Sequence, residues 1–229
     1  MREIVLDTET TGLDPDDGHR IVEIGAVELL NHLPTGRVFH QYINPERPMP
    51  PEAREIHGLD DAFLADKPPF AAVVQAFATF IGDARLVIHN ASFDMRFLNA
   101  ELGWAGHPTL PADRAVDTLA LARARFPGAP ASLDALCRRF GIDNSAREKH
   151  GALLDSELLA EVYLELAGGR QPGFDLGAAA SRTKGAAAED WRPGPRPSPL
   201  PPRITAEEAQ AHAALVDLMG EAAIWRRFG

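Results

Sequence analysis

Ile4-Val-Leu-Asp-Thr-Glu-Thr-Thr-Gly12 opens the chain with a short apolar run that passes straight into two acids and a glycine turn. Side chains alternate across a strand, so Asp7 and Glu9 share one face, roughly 7 Å apart along the backbone. Outward from there, Ile21–Leu30 reads as a second strand. Ile21, Glu23, Gly25, Val27 and Leu29 fall on one face, and Val22, Ile24, Ala26 and Glu28 on the other. Residues 38–43 read as a third strand. Helical periodicity then appears at Phe70–Ile81, ahead of a short apolar strand at 86–88 and a helix over 93–102. Ala115-Val116 is a last short strand, and Asp117 caps a helix from Thr118 to about Arg125. Helices at 132–140 and Ala152–Leu166 complete the series. A strand meander followed by strand–helix alternation predicts an α/β domain whose mixed sheet is flanked by helices.

The 229 residues carry 23 Lys+Arg against 33 Asp+Glu, a formal charge of −10. Such a balance excludes a protein that coats nucleic acid through a broad basic surface. It leaves open one that grips a few phosphates locally through bound cations. The single cysteine excludes an intrachain disulfide framework and an all-cysteine metal cage. No apolar run approaches the roughly 20 residues that span a bilayer. Met1-Arg-Glu-Ile4 enters strand-like sequence without a signal-peptide apolar region, so the expected address is the cytoplasm, away from membranes.

Composition shifts at Gly168-Gly169, which divides the chain into a domain at 1–168, a Gly/Ala/Pro-rich linker at 169–203 and a terminal segment at 204–229. The acidity belongs to the first part, with 26 acidic and 15 basic residues. Six prolines among the eleven residues 193–203 favour an extended, semi-rigid spacer. Thr205 with Glu208 forms a capping box for a new helix, Ile204 can staple back onto it, and Gly220 stops it. Leu215, Leu218 and Met219 give that helix an apolar side, and Ile224, Trp225 and Phe228 follow. So short a segment beyond a stiff spacer reads as a partner-binding peptide; the bland alternative packs it back on the domain.

Two further stretches carry chemistry. In His89-Asn-Ala-Ser-Phe-Asp94 the acid falls in the first turn of a helix directly after a strand, aimed back at the strand ends. In Lys149-His-Gly-Ala-Leu-Leu-Asp155, one continuous helix would put His150 and Asp155 about 140° apart. Gly151 resolves this if His150 stands in the loop and Asp155 in the first turn. Each piece alone has an ordinary reading as a turn, a helix-start acid or a surface histidine. Together they bring four acids and an imidazole from three strand or helix ends. Four buried carboxylates repel one another and persist only where cations neutralise them.

On these residues the chain resembles the DEDD superfamily of 3′–5′ exonucleases, on a ribonuclease H-like fold, and its His-x-x-x-x-Asp ending matches the histidine branch. More closely it resembles the epsilon-subunit family of proofreading exonucleases of bacterial DNA polymerase III. The matching stretches are Ile4 to Gly12, Ile21-Val-Glu-Ile-Gly-Ala-Val27, Leu86-Val-Ile-His-Asn90, Ser132-Leu-Asp-Ala-Leu-Cys137 and His150 to Asp155 with Ala160-Glu-Val-Tyr-Leu164. The resemblance covers essentially all of residues 1–168 and continues weakly into the tail. Five motifs in order are far more specific than any one.

The resemblance implies hydrolysis of terminal phosphodiesters at mispaired DNA 3′ ends, with release of 5′-mononucleotides, by two divalent cations, Mg²⁺ or Mn²⁺. One ion would be held by Asp7, Glu9 and Asp155, the other by Asp7 with Asp94, directly or through water. His150 would take the proton of the attacking water. Glu52 would bind the terminal 3′-hydroxyl and His57 would sit beside the base, with Thr8 and Thr10 next to the terminal nucleotide. Phe93 would stack on a base or, more simply, fill the core. Gln171, Phe174 and Leu176 are similar to the peptide that docks on a sliding clamp. Residues 204–229 correspond to the segment that attaches to the polymerase III alpha subunit, and the resemblance leaves room for a small third subunit. The competing readings are a free-standing exonuclease on RNA ends or short oligonucleotides, against which the tail speaks, and a catalytically silent scaffold, against which the complete acid set speaks. Asp117 and Cys137 read as structural, and His19, His32, His40 and His107 show no ligand spacing.

Overall fold

The computed structural model describes residues 1–145, 147, 149–169 and 204–224. The chain divides into two compact units, Met1–Phe174 and Asp175–Gly229. The first contains β1 (Arg2–Thr10), β2 (Ile21–Leu30), β3 (Leu33–Tyr42), α1 (Pro51–His57), α2 (Asp61–Leu64), α3 (Phe70–Ile81), β4 (Arg85–Ile88), α4 (Ala91–Trp104), β5 (Ala115–Asp117), α5 (Thr118–Arg125), α6 (Leu133–Phe140) and α7 (Ala152–Leu166). In the second unit, α8 spans Ala206–Met219.

The sheet has the order β3-β2-β1-β4-β5. β1 pairs antiparallel with β2, and β2 with β3; β4 runs parallel to β1, and β5 parallel to β4. The mixed sheet flanked by helices is therefore the expected one. β3 begins five residues earlier than expected, because Asn31 and His32, at φ of 53° and 67°, turn the chain tightly between the paired Leu30 and Leu33. Two consecutive left-handed residues are what a two-residue hairpin turn with the strands' own twist demands.

Alternation sorts the core into two layers. Ile4, Leu6, Ile24, Ala26, Leu86 and Ile88 pack with Phe70, Phe77, Phe97 and Leu98 of α3 and α4. Val5, Val27, Leu29 and Val87 pack on the other face with Leu136, Leu159 and Val162 of α6 and α7. Ile21 departs from its expected face and joins Ile24 and Ala26. The cause is a bulge: Glu9 pairs with Glu23 but Thr10 with Ile21, so Val22 is skipped and alternation resets. Cys137 is fully buried, and burial raises its thiol pKa.

Helix starts follow local chemistry. Asp117 accepts from the Leu119 amide at 2.9 Å and Ser132 from the Ala135 amide at 3.3 Å. In α8 both halves of the Thr205–Glu208 capping box are present, and Gly220 follows its last turn. Leu215, Leu218 and Ile224 are exposed. Gln171, Phe174 and Leu176, the spacer at 193–203, Trp225 and Phe228 lie outside the described residues. No helix among the described residues is long and apolar enough to cross a membrane.

One contact fixes where α7 starts. A Cβ built on Gly25 would lie 2.2 Å from the Ala152 carbonyl carbon and from the Leu153 amide nitrogen. The Ser156 hydroxyl donates to the Gly25 carbonyl at 2.9 Å. Because the obstructing atoms are backbone, no rotamer change relieves them. Gly25→Ala is expected to destabilise the domain by about 3 kcal/mol, the upper end for overpacking, and to lower its urea midpoint. An unchanged midpoint would show that α7 can shift without cost.

Candidate active site

Because β1, β4 and β5 are parallel, their carboxyl ends lie along one edge of the sheet, where open α/β folds bind ligands. Asp7, Thr8 and Glu9 are the end of β1, Asp94 is in the first turn of α4 behind β4, and Asp155 is in the first turn of α7. Parity divides the work. Thr8, in phase with Leu6, meets α4, while Asp7 and Glu9, in phase with Val5, share the α7 side. The Thr8 amide and hydroxyl both donate to Asp94 Oδ1, at 3.1 and 2.7 Å. Glu9, His150 and Asp155 each place a ligand atom within 4.8 Å of the others. Gly151 at the cap leaves His150 in the loop, exposed, and Asp155 buried inside the helix start.

Two cavities flank these acids. One, of about 600 Å³, is lined by Glu9, Thr10, Glu52, His57, Phe93 and Asp94; the other, of about 550 Å³, by Asn90, Arg123, Asp134, Arg147 and Asp155. Asp7 and His150 border both.

The electrostatics are those of crowded, buried acids that the single charge of Arg147 offsets only in part. Burial raises the Asp7 carboxyl well above the usual carboxylate range, and the charges of Asp94, Glu9 and Asp155 push it further. Glu9 rises to about 8, chiefly by burial and then by Asp155 and Glu23, its cross-strand neighbour. Glu23 is itself engaged by His40 Nε2 at 2.7 Å. Asp94 rises to about 7 through burial, although the Thr8 hydrogen bonds pull the other way. Glu9 Oε1 is buried without a hydrogen-bond partner. An orphaned carboxylate oxygen among crowded acids, with an imidazole beside it, is a donor set that hard divalent cations fit.

Glu52 and His57, the residues expected beside a substrate, both line the first cavity. Glu52 is exposed in the first turn of α1, and His57 is buried at its end, before left-handed Gly58. His57 Nδ1 accepts from the Leu59 amide at 3.1 Å, and burial lowers the ring's pKa. Phe93 does two things, packing its ring 5.0 Å from Phe97 and lining the cavity. Asn90 is left-handed at the start of α4 and caps with its backbone position only; its amide donates to Asp117 at 3.1 Å.

Sequence reasoning passed over three residues here. His19, set aside for want of ligand spacing, lies against Gly12 on the cavity wall and hydrogen-bonds Thr11 at 3.1 Å. His89 borders both cavities. Arg147 grips Asp155 with two nitrogens, at 2.5 and 2.7 Å. The glycine in Thr-Thr-Gly12 was a usable signal for His19; a lone arginine in a polar loop offered none.

A family model described as RNase_T, exonuclease, matches residues 4–163. The chain is 51% identical over 215 residues to the DNA polymerase III subunit epsilon of Rickettsia felis, covering 93% of this chain and 94% of that one. With the Escherichia coli K12 protein of the same name, identity is 44% over 239 residues, covering 98% and 97%. Among solved structures, Exonuclease X in complex with 5′ overhanging duplex DNA superposes with a TM-score of 0.56 at 28% identity, over 72% of this chain and 90% of that one. The nuclease domain of 3′hExo, a DEDDh family member bound to rAMP, gives 0.63 at 20% identity over the same shares, and speaks for the fold. The catalytic-looking edge of the sheet thus lies within a family match that spans most of the chain: the protein belongs to the RNase_T exonucleases of DEDDh type and is a 3′–5′ exonuclease.

Proposed function

We propose that the chain is a proofreading exonuclease that trims mispaired 3′ ends of DNA with two divalent cations, Mg²⁺ or Mn²⁺. The observation that carries the reading is the buried, unpartnered Glu9 oxygen amid acids whose protons are held far above their usual range. Asp7, Glu9 and Asp155 would hold one ion and Asp7 with Asp94 the other; when bound, such a pair supplies Lewis acidity toward the attacking water and the leaving 3′ oxygen. Thr8 keeps Asp94 oriented through its paired donations. His150, at the solvent side of the cluster, takes the water's proton and passes it outward. Glu52 accepts from the terminal 3′-hydroxyl, and His57 bounds the base. Specificity for mispairs comes from fraying, since a mismatched end unpairs at lower cost before entering a single-strand site.

The partners follow from charge and exposure. A domain of net negative charge holds DNA weakly and gains from a tether that raises its effective concentration. The exposed apolar residues of α8 suit a helix laid in a groove of the polymerase III alpha subunit. Gln171, Phe174 and Leu176 would engage the sliding clamp, and a small third subunit would bind the domain.

Asp7→Asn is expected to abolish cleavage of a 3′-mispaired primer, by at least about a hundredfold, while raising the melting temperature of the metal-free protein because a repelling carboxyl is gone. Near-normal cleavage by this variant would end the metal assignment; cleavage confined to RNA would point to the free-standing alternative.

The raised acids also set a pH dependence. Between an unfolded carboxyl value near 4 and the folded values of about 7 for Asp94 and about 8 for Glu9, the folded chain keeps protons that the unfolded chain has lost. Raising pH therefore favours unfolding across that window and stops mattering above it. Thermal unfolding in EDTA should show a melting temperature falling from pH 5 to pH 8, and saturating Mg²⁺ should flatten it. A metal-free protein most stable at pH 8 would contradict the assignment.

Removing residues 204–229 is expected to leave cleavage of single strands intact and to release the protein from the polymerase subunit in gel filtration. Retained co-elution would overturn the docking role of α8.

A further inference from the structure

Arg147 lies in the loop between α6 and α7, yet its side chain is only 9% exposed. Its Nε donates to Asp155 Oδ1 at 2.5 Å and its Nη2 to Asp155 Oδ2 at 2.7 Å, a two-pronged fork that takes both oxygens. Nη2 also approaches His150 Nδ1 at 3.2 Å, and Nη1 donates to Asp134 Oδ1 at 3.0 Å. A guanidinium can only donate, so His150 Nδ1 is the acceptor and the neutral ring carries its proton on Nε2.

We propose that Arg147 is a built-in counter-cation, which holds Asp155 and His150 while no divalent ion is present and leaves Asp155 when one binds. Asp155 and His150 are two of the three residues whose ligand atoms converge within 4.8 Å, and the guanidinium engages both. A fork of this kind uses the carboxylate lone pairs that face outward in the plane, the same ones an ion would take. Ion binding at Asp155 is then an exchange of one cation for another, and its affinity is the difference between the two. The exchange also frees His150 Nδ1, so the proton acceptor becomes available when the site fills. The third contact keeps the displaced guanidinium near: Asp134, on α6 and already held by Asn144 at 2.9 Å, anchors it at the edge of the second cavity. The contacts that change are polar ones, made to acids at two helix starts.

This inference rests on Asp155 being a metal ligand, and the test separates the two. Mn²⁺ is titrated calorimetrically into the full chain and three variants. Arg147→Gln should bind Mn²⁺ about tenfold more tightly than the parent, and Arg147→Lys, a charge without the fork, should fall between. Equal or weaker binding by Arg147→Gln, with Asp155→Asn weakened, overturns the role of Arg147 alone. Unchanged binding by Asp155→Asn overturns the ligand assignment and this inference with it. Should Arg147→Gln fail to fold, the parent protein still decides: the ¹⁵N resonance of Arg147 Nε must move on Mg²⁺ saturation, and one that stays put refutes the exchange.

Discussion

The backbone of α7 rests directly on Gly25, and the geometry of the whole edge follows from that approach. Gly25 pairs with Asp7 across β1 and β2. A helix that starts on Gly25 delivers its first turn beside Asp7, and the first turn contains Asp155. With any side chain at 25 the helix would stand further off the sheet, and the third acid would leave the group formed with Glu9 and His150. Ser156, one residue beyond Asp155, locks the same approach by donating to the Gly25 carbonyl. A backbone contact and a hydroxyl thus set the position of a charged group that on electrostatic grounds would rather be elsewhere.

That reluctance has to be borne by the rest of the molecule. Asp7, Glu9 and Asp94 are each held in a form that is hard to ionise, first by burial and then by nearby acids: Asp94, Glu9 and Asp155 at Asp7, Asp155 and Glu23 at Glu9, and Asp117 at Asp94. Two extensive apolar layers, one on each face of the sheet, supply the stability that the acids withdraw. Local compensation is partial: Thr8 donates twice to Asp94, and Arg147 neutralises Asp155, but Glu9 keeps an oxygen without a partner. Functional sites are where such locally unfavourable arrangements persist, because removing them stabilises the fold and removes the chemistry.

Much of this was legible in the sequence, and the exceptions have causes. Phe70–Ile81 and Ala152–Leu166 come out with the bounds their periodicity predicts, because an apolar stripe and a clear stop define both ends. The start of β3 was missed because Asn31-His32 makes its tight turn without the glycine that usually announces one. The four-residue α2 is too short for any period and is held by Asp60, which accepts from the Phe63 amide. Ile21 changed faces at a bulge, and no pattern of apolar residues marks a skipped pairing. At the site, the acids stood out because each sits where a strand or helix ends. Arg147 did not, since its importance comes from a partner eight residues later whose location only the packing of α7 decides.

The site draws on supports of two kinds, and the difference bears on how it can work. Asp7, Thr8 and Glu9 belong to a central strand paired on both sides, and Asp94 and Asp155 belong to helix starts packed on opposite faces of the sheet. Those five positions move only if a layer moves. His150 and Arg147 come instead from the loop between α6 and α7, which is tied down through polar contacts: the His150 amide to the Ile56 carbonyl at 3.3 Å, and the guanidinium to its acids. Polar contacts can be exchanged for others at small net cost, whereas apolar packing cannot. The rigid part therefore fixes where charge is concentrated, and the adaptable part carries His150 and Arg147, the two groups for which we propose a change of partner as the site fills.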